Sequence, residues 1–429
     1  MIPSFLAILL LDYFGVNTKI VNMKKRYLHE LIKQLAFSDN KMAFVSGPRQ
    51  CGKTTLGHML ARERDISEYY NWDNIEFRRL WAKSPQSIIP ETSKSPLIIL
   101  DEIHKDRTWK RTLKGIYDTL KFNESLCDLF VTGSSRLNVY RRGSDSLLGR
   151  YYHFRLAPFS LREMETANPL SPNETLDHLK NHSHRSNTSR SKNLKSLLKF
   201  GPFPEPLLKQ NVSKWRLWRK NRHEMIIRED LRDIGRSSDL GKIEMLASIL
   251  PEKIGSPLSI NSLRLDIEVA HQTLQRWLGW LKELYFLFEI KPWSKKITRS
   301  IKKEGKIYLW DFSEIDNDAA KFENLVAMHL KKACDYWNDS GEGDFALHYL
   351  RNKEKQEIDF LIVKDGKPWL PVEVKLSDVA PSKNWAKFLP LIGCKFALQI
   401  VNKPYWKKHE YNDTKILVAD AAEVFQYFV

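Results

Sequence analysis

Gly47-Pro48-Arg49-Gln50-Cys51-Gly52-Lys53-Thr54, followed by Thr55, spells G-x-x-x-x-G-K-T. That is the spacing of a loop that surrounds phosphate groups with backbone N–H donors. Its glycines permit the tight turn and the close approach to a ligand. In such a loop Lys53 reaches the β- and γ-phosphates of ATP, and Thr54 offers its hydroxyl to Mg²⁺. A second group, Asp101 and Glu102, follows the apolar run Leu97-Ile98-Ile99-Leu100. Asp101 would partner the Mg²⁺, and Glu102 would polarise the attacking water. A third group lies far downstream: Asp359, then Glu373-x-Lys375. Two carboxylates and a lysine in this order suit metal-dependent cleavage of a phosphodiester. Asp359 and Glu373 would hold Mg²⁺, and Lys375 would position or activate water.

Two further residues are weighed against plainer roles. Ser134 follows the apolar run Leu129-Phe130-Val131-Thr132, where a polar side chain can sense the γ-phosphate, but a helix cap or turn explains it equally. Arg150, in Leu147-Leu148-Gly149-Arg150-Tyr151, suits charge stabilisation on its own nucleotide or on a neighbour's, against the alternative of a surface arginine. A role on a neighbour's nucleotide would require a homo-oligomer. Cys51 inside the loop predicts nucleotide binding that is sensitive to thiol reagents.

These residues need particular elements to position them. Met42-Ala43-Phe44-Val45 before the loop reads as a strand, and Thr55–Leu60 after it as a helix, the order a phosphate loop requires. Residues 24–38 read as a basic amphipathic helix, and Tyr69–Asp73 as the end of a second strand. Four successive apolar residues before Asp101 fit a parallel strand covered on both faces. Its terminal acid then sits at the carboxyl edge of the sheet, where open α/β folds bind ligands. In residues 241–290, Leu274, Leu278, Leu281 and Tyr285 form one stripe of a helix, leaving Gln272, Gln275 and Arg276 outward. The spacing resembles a winged helix-turn-helix, a module that serves as a packing adaptor or as a DNA reader. The stretch from Lys291 to Lys306 is strongly basic, suited to a phosphate backbone or to a solvated hairpin.

Downstream, Glu357–Val363 and Val372–Lys375 read as two strands around Asp365-Gly366. Alternation puts Glu373 and Lys375 on one face. With a strict two-residue turn, however, Asp359 falls opposite Val372 and points to the other face. A three-residue turn or a one-residue bulge near Pro368 is therefore predicted, restoring Asp359 opposite Glu373. Glu323 is a further candidate carboxylate.

The whole chain has 429 residues, 42% of them hydrophobic, which allows two or three packed domains. The net charge of +17 favours a polyanionic partner such as DNA, against a merely solvated basic surface. Cys51, Cys127, Cys334 and Cys394 are far apart, which fits a reducing cytoplasm and excludes a disulfide framework or a zinc ribbon. Residues 1–22 are largely apolar, yet they lack the length of a membrane span and the basic start of a secretory signal. Met23-Lys24-Lys25 makes a natural beginning, so 1–22 reads as a non-native extension. The division expected is 23–164 for a P-loop ATPase domain, 165–200 for a polar insertion or linker, 201–292 for a helical lid and winged-helix-like module, and 293–429 for a separate α/β domain.

The chain resembles a prokaryotic family of AAA-like ATPases whose members join a P-loop domain to a C-terminal region with a restriction-endonuclease-like (PD-(D/E)XK-type) fold. The resemblance covers roughly residues 24–425. It rests on Ser46–Thr54, Leu100-Asp101-Glu102-Ile103-His104-Lys105, Val131-Thr132-Gly133-Ser134-Ser135 and Leu148-Gly149-Arg150. It also rests on Gly201-Pro202-Phe203-Pro204-Glu205, Lys306-Ile307-Tyr308-Leu309-Trp310-Asp311 and the Asp359/Glu373-x-Lys375 hairpin. It implies an α/β fold with an N-terminal parallel sheet that binds ATP, a winged-helix middle and a nuclease-like end. Cys51 in the loop, Gly-Pro before Phe203 in place of Gly-Gly, and a long polar insertion depart from the family pattern. Two activities follow as expectations. One is ATP hydrolysis on or near nucleic acid with a Mg²⁺-dependent nuclease site. The other is a signal-transduction-type ATPase switch that binds protein partners and carries a silent nuclease-like domain.

Overall fold

The computed structural model describes residues 24–92, 94–124, 126–133, 147–166, 168–182, 187–231, 239–294 and 304–429. The extension at 1–22, Ser134 and the centre of the basic stretch after Lys291 lie outside them.

Five parallel strands build the first sheet: β1 (Met42–Ser46), β2 (Ser67–Asn71), β3 (Leu97–Asp101), β4 (Asp128–Gly133) and β5 (Tyr151–Arg155), in the order β2-β3-β4-β1-β5. The central strands are buried at every position because both faces are covered. Ala43, Val45, Leu97 and Ile99 face one core, and Met42, Phe44, Ile98 and Leu100 the other. The helix Lys53–Ala61 packs on this sheet with no room to spare at Gly57. A Cβ there would come within 3.0 Å of the Phe130 ring. The carboxyl ends of β1, β3 and β4 thus lie side by side, as their register places Val45 beside Thr132 and Leu100 beside Val131.

The middle of the chain is helical: Val212–Glu224, Leu240–Ile249, Ile260–Ile267 and His271–Glu283. After them comes the antiparallel pair β6 (Leu287–Pro292) and β7 (Lys306–Leu309). As expected, Leu274, Leu278 and Leu281 are buried, while Gln272, Gln275 and Arg276 are exposed.

A second, mixed sheet takes up the rest. Its strands are β8 (Phe345–Arg351), β9 (Glu357–Lys364), β10 (Lys367–Lys375), β11 (Phe396–Val401), β12 (Trp406–Tyr411) and β13 (Thr414–Asp420), extended by β6 and β7. The order is β12-β13-β11-β10-β9-β8-β6-β7. The sheet therefore begins before residue 293, because β6 pairs with both β7 and β8. The 22-residue helix Asp318–Asp339 lies against it and reaches back to β5. One apolar core runs from Leu56 and Phe154 through Trp277 and Leu325 to Leu398, so the two sheets share a continuous interior.

The polar stretch 165–200 departs from expectation. It forms helices at Pro172–Asn181 and Thr188–Phe200, the first opened by a Ser171–Glu174 capping box. Leu179, Leu194, Leu197 and Phe200 are buried at helical spacing, a signal that the surrounding Asn, Ser and His residues diluted. Thr175 Oγ1 donates to the Tyr427 carbonyl at 3.0 Å, and Arg190 pairs with Glu423 at 2.8 Å. The segment packs on the C-terminal residues that follow β13.

Candidate functional site

The loop 47–52 leaves β1 and enters the helix Lys53–Ala61 through left-handed backbone at Gln50 (φ 64°) and Gly52 (φ 101°). A Cβ on Gly47 would lie 2.2 Å from the Leu156 carbonyl oxygen, so only glycine fits there. Lys53 Nζ donates to the Gly47 carbonyl at 3.0 Å and the Pro48 carbonyl at 2.9 Å, which places its ammonium inside the loop's curve. Thr54 Oγ1 donates to Asp101 Oδ2 at 2.8 Å. The Tyr69 hydroxyl donates to the same oxygen at 2.9 Å, and the Thr132 hydroxyl donates to Asp101 Oδ1. Asp101 therefore gathers hydroxyls from β2, from β4 and from the loop helix. Glu102 follows it in a left-handed conformation (φ 57°), and burial, reinforced by neighbouring Asp101, holds its carboxyl above the usual range. Tyr69 and Thr132 were not singled out from sequence. The signal for Thr132 is its place at the end of the strand beside Asp101, two residues before Ser134.

The other loop residues divide by side chain. Pro48 is buried, Gln50 and Thr55 are exposed, and Arg49 turns away to Asp230 at 2.6 Å. Cys51 is 0% exposed and its thiol faces the Leu156 carbonyl at 3.3 Å. The expected thiol sensitivity does not fit this position, because the odd member of the loop serves as a small core residue. Behind the loop, buried Arg26 donates to the Cys51 carbonyl and, at 2.6 Å, to that of Ala157.

Arg150 is placed at the wrong end of the sheet for its own nucleotide. Its carbonyl accepts from Met42 N at 3.0 Å, at the start of β1, whereas the loop departs from Ser46 at the end. Its guanidinium is bidentate to Asp118 at 2.7 and 3.1 Å. The arginine at the loop's end of β5 is Arg155, which is paired with Asp335 and Asp339 of the long helix. A cavity of about 300 Å³ is lined by Gly47, Pro48, Arg155, Tyr285 and Trp310 among others.

At the second sheet, Asp365 (φ 50°) and Gly366 (φ 75°) make the two-residue turn, and Lys364 pairs with Lys367. The register then slips between Pro368 and Leu370, so that Leu361 opposes Pro371 and Phe360 opposes Val372. The bulge predicted near Pro368 is present, and the restored register carries Asp359 to Glu373. Asp359 Oδ2 accepts from the Val374 N–H at 2.8 Å. Glu373 Oε1 accepts from Lys375 Nζ at 2.8 Å and from the Ser382 hydroxyl at 2.9 Å, while its Oε2 is buried without a hydrogen-bond partner. Glu323 accepts from the Tyr308 hydroxyl at 2.8 Å.

A residue that carried no role in the sequence reading sits among these acids. Lys306, 0% exposed, lies 3.0 Å from Glu357, 3.5 Å from Glu323 and 3.9 Å from Asp359. Burial first, and Asp359 second, pushes the Glu323 and Glu373 carboxyls up to about 7. Among the described residues no three His, Cys, Asp or Glu side chains are arranged to hold a metal ion together. Asp359 and Glu373 thus meet as expected, but in company with two ammonium groups.

Comparison with known proteins matches three stretches of the chain. A family model described as an AAA domain matches residues 39–165. Two domains of unknown function, DUF8612 and DUF4143, match residues 191–314 and 319–420. Residues 39–165 are accordingly an AAA-type P-loop domain. Uncharacterized protein MJ1544 of Methanocaldococcus jannaschii is 23% identical over 359 residues, covering 79% of this chain and 76% of that protein. Uncharacterized protein Rv2008c of Mycobacterium tuberculosis is 20% identical over 384 residues, covering 88% and 79%. Among solved structures, the Walker-type ATPase PABY2304 of Pyrococcus abyssi has 14% identity and a TM-score of 0.38, covering 66% of this chain and 92% of that one. The Aeropyrum pernix ORC1 protein, solved in complex with DNA, has 16% identity and a TM-score of 0.30, covering 70% and 91%. Likenesses this loose carry no functional argument. Among the described residues no helix is long and apolar enough to cross a membrane.

Proposed function

We propose that the chain binds and hydrolyses ATP and works on or near nucleic acid, with nucleotide state governing how the middle and C-terminal regions are presented. The single observation that carries this is the hydrogen bond from Thr54 to Asp101, which joins the loop to the acid at the end of β3. Bound Mg²⁺ would neutralise charge on the phosphates, and Thr54 and Asp101 are the residues to hold it. The loop N–H groups and Lys53 bind the phosphates. Glu102, with its proton affinity raised by burial, orients and polarises the attacking water. Thr132, at the end of β4, is placed to register the state of that acid pair. A role for Arg150 would require a neighbouring copy's nucleotide.

For nucleic acid, what supports the reading is charge and shape. The net charge is +17, and Gln272, Gln275 and Arg276 project from the winged-helix-like module. Arg216, Arg219, Lys220 and Arg228 line a groove of about 470 Å³ beside the helix Val212–Glu224. DNA binding measured across salt concentration tests this directly. Affinity should fall steeply and linearly on a log–log plot, with a shallower slope in an R216A/K220A variant. Salt-independent binding, or no binding with or without ATP, sinks it.

A second reading is a signal-transduction-type switch whose partners are proteins and whose nuclease-like domain is silent. The observation favouring silence is Lys306 among the carboxylates. Incubating DNA with Mg²⁺ or Mn²⁺ separates the two, since cleavage lost in K375A requires a working site and no cleavage favours the switch.

A further inference from the structure

The C-terminal carboxylates form a cluster whose resident cation belongs to the chain. Lys306 starts β7, and alternation puts Tyr308 on the same face two residues on. Both reach β9 and the long helix: Lys306 to Glu357 and Glu323, Tyr308 to Glu323 and to the Phe360 ring. The ammonium also lies 5.5 Å from the centre of the Tyr349 ring. Three carboxylates thus surround Lys306 within 4 Å. Glu357 is shared with Arg351 at 2.6 Å, and Glu373 is already paired with Lys375.

We infer that the Lys306 ammonium is a tethered cation that fills this cluster in place of a divalent metal, and that removing its charge opens a metal site. An ion bound by Asp359 and Glu323 would sit about 2 to 2.5 Å from their oxygens. Lys306 Nζ is 3.9 and 3.5 Å from those same carboxylates. The dication and the ammonium would then be near neighbours in a region shielded from water, where their repulsion is strong. Burying the ammonium costs hydration too, but for a single charge already fixed on a strand that cost is smaller than the dehydration a free Mg²⁺ must undergo. This holds whichever fold family the second sheet belongs to, and whether or not ATP is hydrolysed, because it concerns only the ion cluster. Among the described residues Glu373 Oε2 is buried without a hydrogen-bond partner, and it supplies the contrary outcome of the test.

The experiment is Mn²⁺ binding to the full chain without nucleotide, followed by calorimetry and by the Mn²⁺ electron paramagnetic resonance signal. A D101N background removes uptake at the P-loop. In that background the otherwise unaltered chain should show no uptake that D359N abolishes. K306M should gain one site that the Lys306-containing chain lacks, and K306M/D359N should lose it. Uptake by the unaltered chain that disappears in D359N or E373Q overturns the inference, as does a folded K306M that gains nothing. If K306M does not fold, comparison of Lys306-containing protein with and without D359N decides alone. Equal uptake supports the tethered cation, and Asp359-dependent uptake refutes it.

Discussion

Arg26 Nε donates to Glu163 Oε1 at 2.8 Å, with both side chains almost wholly out of solvent. On its other side Glu163 faces Lys332 of the long helix, and Arg26 also holds the Cys51 carbonyl. One buried carboxylate therefore joins the N-terminal segment, the back of the phosphate loop and the C-terminal region. Breaking such a cluster leaves two cations buried with no counter-charge. E163A should cost about 3–5 kcal/mol of stability, read from urea unfolding, whereas a surface control such as E205A should cost almost nothing. A small loss in E163A would show that the two regions do not depend on this contact.

Cys51 should be inert in the native protein. Its thiol is packed against Leu156, and labelling with a thiol reagent should follow unfolding and not precede it. Mass spectrometry after brief alkylation, with and without denaturant, checks this. Rapid labelling of Cys51 in the native state, blocked by ATP, would mean that the loop opens far beyond the conformation seen.

The raised carboxyls give a pH dependence with a definite sign. Glu373 is held at about 7 by burial and by Asp359, against an ordinary value near 4.3 when unfolded. The native state keeps a proton that the unfolded chain has lost, so this stabilisation is complete below the unfolded value and is lost as pH rises through about 7. Half-buried His153 and buried His329, pushed down to about 4 and about 3, contribute the opposite trend. The comparison with a variant is therefore the informative one. E373Q should match the unaltered chain in Tm near pH 5 and exceed it near pH 8. A Tm difference that does not change with pH would refute the assignment.

Much of this was legible from residue order. Gly47 to Thr54 and Asp101 announce themselves because phosphate chemistry demands fixed types at fixed spacing. The parity of Asp359 and Glu373 about Asp365-Gly366 required a bulge, and the register slips between Pro368 and Leu370. Other features were hidden for physical reasons. Lys306 reads as one more basic residue beside a basic stretch, and only the approach of β7 to β9 reveals its three acids. Arg150 lies close in sequence to a strand beside β1, yet parallel pairing sends it to the far end of the sheet. The helices of 165–200 were masked by composition, although Leu179, Leu194 and Leu197 mark their buried faces.

Turnover of ATP by K53A, beside the unaltered chain and in Mg²⁺, tests the central claim most directly. Lys53 is the only side chain whose ammonium lies inside the loop's curve among the described residues, bonded to the carbonyls of Gly47 and Pro48. The account predicts Mg²⁺-dependent phosphate release by the unaltered chain and none by a folded K53A. Equal release by both, or no release by the unaltered chain, would contradict it.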